Sequence, residues 1–345
     1  MNAAKSSIIE KRKQAWLDFY DRKPSPKHVF IINYWPDIKP APKPWPEFKK
    51  ERMEYIYDKY CRHMERIEWL QDDSLPFLEM ISGTEIFAEA FGCKVHRPQD
   101  NNPFALPLIK SPSEVSALKV PELGSSTLAI HFEIADELIA RTGKGTLLRP
   151  PDIQSPMDIA SLIWDKNTFY MALIDAPEAV RELAHKVKTL LTAFLDEWFS
   201  RYGREFMAHH PDYYMPYGIT LSEDEIGIVN QDMFNEFYLQ ELVELSERYG
   251  AIGIHCCANA RHQWENLKKI PNLKLLNLNN SLDYIKEAYE FFAEHTAQMH
   301  WWCGDGEPET WASQLPEKAR AVITAQADTK EKALRIADAL RRTCS

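Results

Sequence analysis

No apolar run in this chain of 345 residues approaches the roughly 20 residues needed to cross a bilayer. A membrane-spanning helix is therefore not expected. The opening stretch, Met1 to Gln14, is polar and helix-prone and lacks the apolar centre of a secretory signal. Positive charge is in short supply. Lys and Arg number 41 against 51 Asp and Glu, a net charge of −10, and no basic stripe offsets it. That balance argues against a nucleic-acid backbone as the main partner. No glycine-rich turn opens any helix, which removes the dinucleotide and P-loop fingerprints. Cys61, Cys93, Cys256, Cys257, Cys303 and Cys344 make no regular framework. They read as reduced thiols in a cytoplasmic protein. No repeat, low-complexity tract or linker divides the chain, so residues 1–345 read as a single domain.

What is present is an ordinary globular composition, 45% hydrophobic and 27% charged. Short β-rich runs alternate with amphipathic helices. Strands are expected at His28–Trp35, Leu75–Met80, Gly145–Arg149, Asp212–Leu221, Ala251–Cys257, Leu273–Asn279, Gln298–Cys303 and Ala321–Ala325. A proline-dense loop, Asp37 to Pro46, follows the first, and a hairpin is expected between Cys93 and Ile109. Helices are expected over residues 5–22, 48–70, 84–91, 125–141, 177–202, 233–248, 281–295, 308–319 and 329–342. A further helix should start at Pro156, with Ser155 as N-cap. Helices between successive strands imply parallel pairing, because parallel neighbours need crossovers. Eight such units predict an α/β fold of the (β/α)8 TIM-barrel class with N-terminal helical additions.

In such a barrel the chemistry lies where the strands end. Residues expected there include Trp35, Glu79, Arg149, Asp152, Gln154, Glu223, Asp224, Asn277 and Asn279. The most informative end is Ile254-His255-Cys256-Cys257. Residues two apart in a strand share a face, so His255 and Cys257 point together and Cys256 points away. An imidazole beside a thiolate suits zinc. The plain alternative is a core cysteine beside a histidine bonded to a carbonyl. Zinc needs a third protein ligand. Cys303 is the first choice, Asp328 the fallback, and Glu223 or Asp224 would serve as oxygen donors. Glu223 and Asp224 are also the candidate catalytic acids, and Gln154, Arg149, Tyr217 and Asn279 the candidate substrate contacts. A metal with an open position holds a substrate thiol as thiolate, or else activates water.

The chain resembles the uroporphyrinogen decarboxylase superfamily, and within it the zinc-dependent corrinoid methyltransferases. The similarity runs from about Asp72 to the C-terminus. It is carried by Glu85 to Cys93, Ile109 to Val115, Ser155 to Ala160, Ser222-Glu223-Asp224 with Met233 to Phe237, and Gly304 to Pro308. His255-Cys256-Cys257-Ala258-Asn259 is similar to the family's His-x-Cys-Gly-Asn zinc motif. The resemblance implies a methyl transfer between a corrinoid, carried on a separate protein, and a thiol or other small acceptor. It implies a zinc ion on His255 and Cys257. The family's third ligand, a cysteine near strand eight, is absent from Ala325-Gln326-Ala327-Asp328. The arginine-rich segment by which decarboxylases hold a porphyrin is also missing, and Asn33-Tyr34-Trp35-Pro36 stands there instead. A second reading follows from the same fold: a metal-free decarboxylase or lyase with Arg149 holding a small acid. A third is a binding protein that has lost the ligand. Barrels of this kind often pair, and a homodimer is left open by the residues.

Overall fold

The computed structural model describes residues 3–36 and 38–344. Eight parallel strands form its centre: β1 (Val29–Asn33), β2 (Phe77–Glu79), β3 (Leu147–Arg149), β4 (Ile219–Ser222), β5 (Ile252–Cys256), β6 (Leu273–Leu278), β7 (Ala297–Gln298) and β8 (Arg320–Gln326). Six of them make one continuous parallel ladder in the order β1-β8-β7-β6-β5-β4. The first strand thus pairs with the last. β2 and β3 pair with each other.

The two ladders meet through short links. After β3, Gln154 bridges Ser222 of β4, and Ser155 N donates to Ser222 O at 2.8 Å. Before β2, side chains do what a strand would do. The Asp72 carboxylate accepts from Ile32 N at 3.0 Å and that of Asp73 from Phe30 N at 2.9 Å. Pro76, which lacks an N–H, keeps β2 short.

Residues of one parity face inward. Val29, Ile31, Leu275, Ala297 and Val322 cluster inside the ring, whereas Phe30, Ile32, Ala321 and Ile323 pack outward against helices. Helix α1 (Ala3–Tyr20) sends Trp16 and Phe19 into the inner cluster, so the N-terminal addition plugs the barrel floor. It is fastened by Trp16 Nε1 donating to Asp73 O at 2.8 Å and by the buried Arg12–Asp72 pair at 2.9 Å.

Several boundaries differ from those expected. The fourth strand region divides. Tyr214–Met215 pairs antiparallel with Phe206–Met207, and the barrel strand begins only at Ile219. Gly218 causes the break. Its φ of +100° suits glycine, and a Cβ there would stand 2.5 Å from Ala251 O. The seventh strand is only Ala297–Gln298, so Cys303 lies in the loop beyond it. Residues 233–248 form a π turn, Phe234–Leu239, followed by helix Gln240–Tyr249. A helix at Lys166–Asp175, capped by Asp165, went unexpected. Helix α2 (Lys49–Arg66), the hairpin of Lys94–His96 with Phe104–Leu106, and Pro177–Tyr202 stand close to expectation. So does helix α3 (Pro156–Ile163), where Ser155 Oγ accepts from Asp158 N at 3.0 Å. No helix is long and apolar enough to cross a membrane among the described residues.

Removing one member of a buried ion pair strands the other charge, at a cost of about 3 kcal/mol or more. Arg12→Met should lower unfolding stability by about that amount in a urea titration. An unchanged midpoint would show that α1 does not hold the floor.

Candidate active site

The inward side chains at the ends of β4, β5 and β6 form one layer. Ser222, His255 and Asn277 stand in register across these neighbours. His255 is buried, and its Nδ1 lies 2.5 Å from Asn277 Oδ1. The Asn277 amide donates its N–H to Met299 O, which fixes which end is oxygen. Its Oδ1 therefore accepts, and His255 Nδ1 carries the proton. Nε2 is left with its lone pair, as a metal-ligating imidazole requires.

The chain turns away after Cys256, and Cys257 emerges exposed. Its backbone N–H donates to Asp224 Oδ1 at 2.6 Å. Asp224 is held from below by α3, since Asp158 accepts from Asp224 N at 2.8 Å and from Glu225 N at 3.0 Å. The donor atoms of Asp224, His255 and Cys257 all lie within 4.8 Å of one another. An oxygen, a nitrogen and a sulfur thus converge on one point, a donor set that suits zinc with a fourth position open. Burial, then the Asp224 carboxylate, pushes the Cys257 thiol up to about 12. A cation between them would reverse that repulsion.

Cys303 does not join this group. It is buried in the outer layer with Phe30 and Ile323, and its sulfur accepts from Thr324 N at 3.2 Å. The seventh strand stops too early to carry it to the mouth. Asp328 is exposed and paired with Lys332 at 3.2 Å on the closing helix. Tyr217 sits at the opposite end of the barrel, before β4, where its hydroxyl accepts from Lys274 at 3.2 Å. Asn279 is exposed and contributes its backbone N–H to Cys256 O at 3.0 Å. Arg149 is on the rim, but Asp212 takes its guanidinium at 2.8 Å and Glu79 lies 3.8 Å away. Cys93 and Cys344 are buried and Cys61 partly so, and all six cysteines are free.

Glu223 and Gln154 are buried, each with one side-chain oxygen lacking a hydrogen-bond partner. The Glu223 carboxyl stands beside that of Asp158. Burial lifts Asp158 from 3.8 to about 7. Burial, followed by the Asp158 charge, lifts Glu223 well above the carboxylate range. At neutral pH at least one proton stays on the pair, directly under Asp224.

A cavity of about 190 Å³ opens beside the trio. His210 joins the two: it lines the cavity, and its ring centroid is 4.4 Å from that of His255. Burial and the neighbouring His255 lower the His210 pKa. His210, Asp158, Lys59 and Arg66 were not singled out from the sequence. The His209-His210-Pro211 turn was the one local signal for the first of them.

The sequence profile of the uroporphyrinogen decarboxylase (URO-D) family matches residues 78–300, more than half of the chain. The chain belongs to the uroporphyrinogen decarboxylase family. No curated protein matches it. Among solved structures it is similar to a methyltransferase from Methanosarcina mazei, with a TM-score of 0.65 and 12% identity. The match covers 97% of this chain and 99% of that one. At that identity the likeness establishes the shared fold of this URO-D family member, the TIM-barrel class expected from its strands.

Both raised carboxyls bind protons more tightly folded than unfolded. Their contribution is fully present below about pH 4 and is lost as pH rises from there through the raised folded values, about 7 for Asp158. The melting temperature should fall between pH 5 and pH 8. Glu223→Gln should remove about 2 °C or more of that fall. Identical pH profiles for the two proteins would contradict the buried pair.

Proposed function

We propose that this protein is a zinc-dependent methyltransferase of the uroporphyrinogen decarboxylase family. It moves a methyl group between a corrinoid protein and a thiol or other small acceptor. The observation that carries the reading is the convergence of Asp224, His255 and Cys257 at the mouth of the barrel. It replaces the expected third cysteine by a carboxylate. Zinc bound there would stabilise an acceptor thiol as thiolate, the attacking form.

The remaining work falls to the chain's own residues. Asn277 keeps the proton on His255 Nδ1. Asp158 grips the backbone on which Asp224 rides. The Asp158–Glu223 pair stores a proton under the site. His210 and Trp301, their ring centroids 6.2 Å apart, line the cavity on the side of His255. In this reading the methyl carrier is a separate corrinoid protein that docks at the barrel mouth.

The lyase reading asked Arg149 to hold the substrate, and Asp212 already takes its charge. Zinc distinguishes the two. Purified protein should contain about one zinc per chain, the complement of one such site. His255→Ala and Cys257→Ala should lose it. Zinc well below stoichiometry in the wild type would sink the transferase reading. Asn277→Ala leaves all three ligands in place, yet should weaken zinc binding about 10- to 100-fold in a chelator competition. Methyl transfer from a methylated corrinoid protein to a thiol panel, followed by the corrinoid spectrum, tests the activity itself.

A further inference from the structure

A second cavity, of about 260 Å³, lies among the outer elements, between α2, the segment that follows β2 and the helix Ala129–Thr142. It shares no lining residue with the cavity at the mouth. Three of its walls are buried polar side chains: Arg52, 1% exposed, Glu85, 3%, and His131, 4%. Each keeps one polar atom without a hydrogen-bond partner, Arg52 Nε, Glu85 Oε2 and His131 Nδ1.

Arg52 and Glu85 feel each other's charge but do not meet. Glu85 supports the charged form of the Arg52 guanidinium, yet no ion pair joins the two among the described residues. Arg52 instead donates Nη1 to Pro44 O at 3.4 Å and Nη2 to Ile81 O. These carbonyls orient the guanidinium without neutralising it. Glu85 has its place because residue 83 is glycine, where a Cβ would collide with Glu85 Oε2. Burial lifts the Glu85 carboxyl to about 7 and lowers Arg52 to about 10. The other charges of the lining are already taken. Glu89 pairs with Arg97 at 2.6 Å, and Glu133 with Lys49 at 2.5 Å. Burial, then Arg52, lowers His131 to about 3, so its imidazole is neutral. Ser126 Oγ donates to Leu123 O at 2.8 Å. Apart from the Thr127 hydroxyl, the remaining wall is apolar: Pro44, Pro46, Ile86, Ala129 and Ile130.

Buried charges that stand apart are costly unless a counter-charge reaches each of them. A single ion would serve one of the two, and a neutral molecule would serve neither. A molecule that carries both signs serves both. We infer that this cavity binds a small zwitterion of the α-amino acid class. Its carboxylate faces Arg52, its ammonium faces Glu85, and a short apolar side chain lies against Ile86 and Ile130. The volume is just under the roughly 300 Å³ at which small-molecule pockets begin, which keeps the occupant small. The inference goes beyond the proposed function and rests on neither the metal nor the barrel mouth.

The test uses glycine, alanine and valine. Each is set against its amide, which lacks the carboxylate, and its deamino acid, which lacks the ammonium. Calorimetry should show at least one amino acid binding the wild type about tenfold or more tighter than both analogues, the scale of a charge-assisted contact. Glu85→Gln should erase the preference over the deamino acid and keep that over the amide. Arg52→Gln should do the reverse. Thermal melts check that each variant is folded, and the isosteric Glu85→Gln carries the test if Arg52→Gln does not fold. Amino acids that bind the wild type no better than their analogues would overturn the inference. So would a folded Glu85→Gln protein that still prefers the amino acid to the deamino acid. Amino acids also chelate zinc, so His255→Ala is the control. It should lose zinc and bind the amino acid as before; loss of both would place the binding at the metal and overturn the inference.

Discussion

The site depends on one hydrogen bond, from His255 Nδ1 to Asn277 Oδ1. It decides which imidazole nitrogen keeps a free lone pair. The bond exists because β5 and β6 pair in parallel with His255 opposite Asn277, and because Asn277 is itself anchored on Met299 O. Sliding β6 by one residue would exchange Asn277 for Leu276 or Leu278, both of which pack outward in the core. The outer hydrophobic layer therefore enforces the tautomer at the centre. Packing and chemistry are two readings of one strand register.

A second support runs through α3. Its N-cap Ser155 sets where the helix begins, and Asp158 in the first turn accepts both backbone N–H groups of the Asp224–Glu225 turn. The carboxylate of Asp224 is thus placed by another carboxylate acting on its backbone. Asp158 makes these bonds while buried beside Glu223, where two charges would repel in a poor dielectric. Sharing a proton resolves the conflict. The same pair holds the turn that sets Asp224 beside His255 and Cys257.

The barrel was legible because its strands are buried on both faces and separated by amphipathic helices, a pattern that survives errors at the ends. Parity alone predicted that His255 and Cys257 lie together, and their donor atoms do. That Asp224 would stand beside them was not legible. Cys303 looked suitable because cysteine is a soft ligand at an expected strand end, but β7 is two residues long, and where a loop goes after a strand stops is not written in hydrophobic periodicity. Asp224 was one of several acids near β4, and only the turn held by Asp158 selects it. Tyr217 failed for a related reason. The run Asp212–Leu221 reads as continuous β structure, yet Gly218 splits it and leaves the tyrosine at the far end of the barrel. Arg66 was hidden among the charges of α2, where an inward arginine has the same spacing as a solvated one.

The ring is closed by β1 on β8, and the hydrogen bonds of Lys27 N and His28 N to Cys344 O tie the start of the chain to its last turn of helix. Such contacts span nearly the whole sequence, the kind that slow folding. During synthesis the edge of β1 stays unpaired until β8 has been made. Throughout that interval Phe30 and Ile32 lack most of the outer layer that covers them in the folded chain. The growing polypeptide would expose a sticky strand early and cover it last, which makes it a natural client for chaperones.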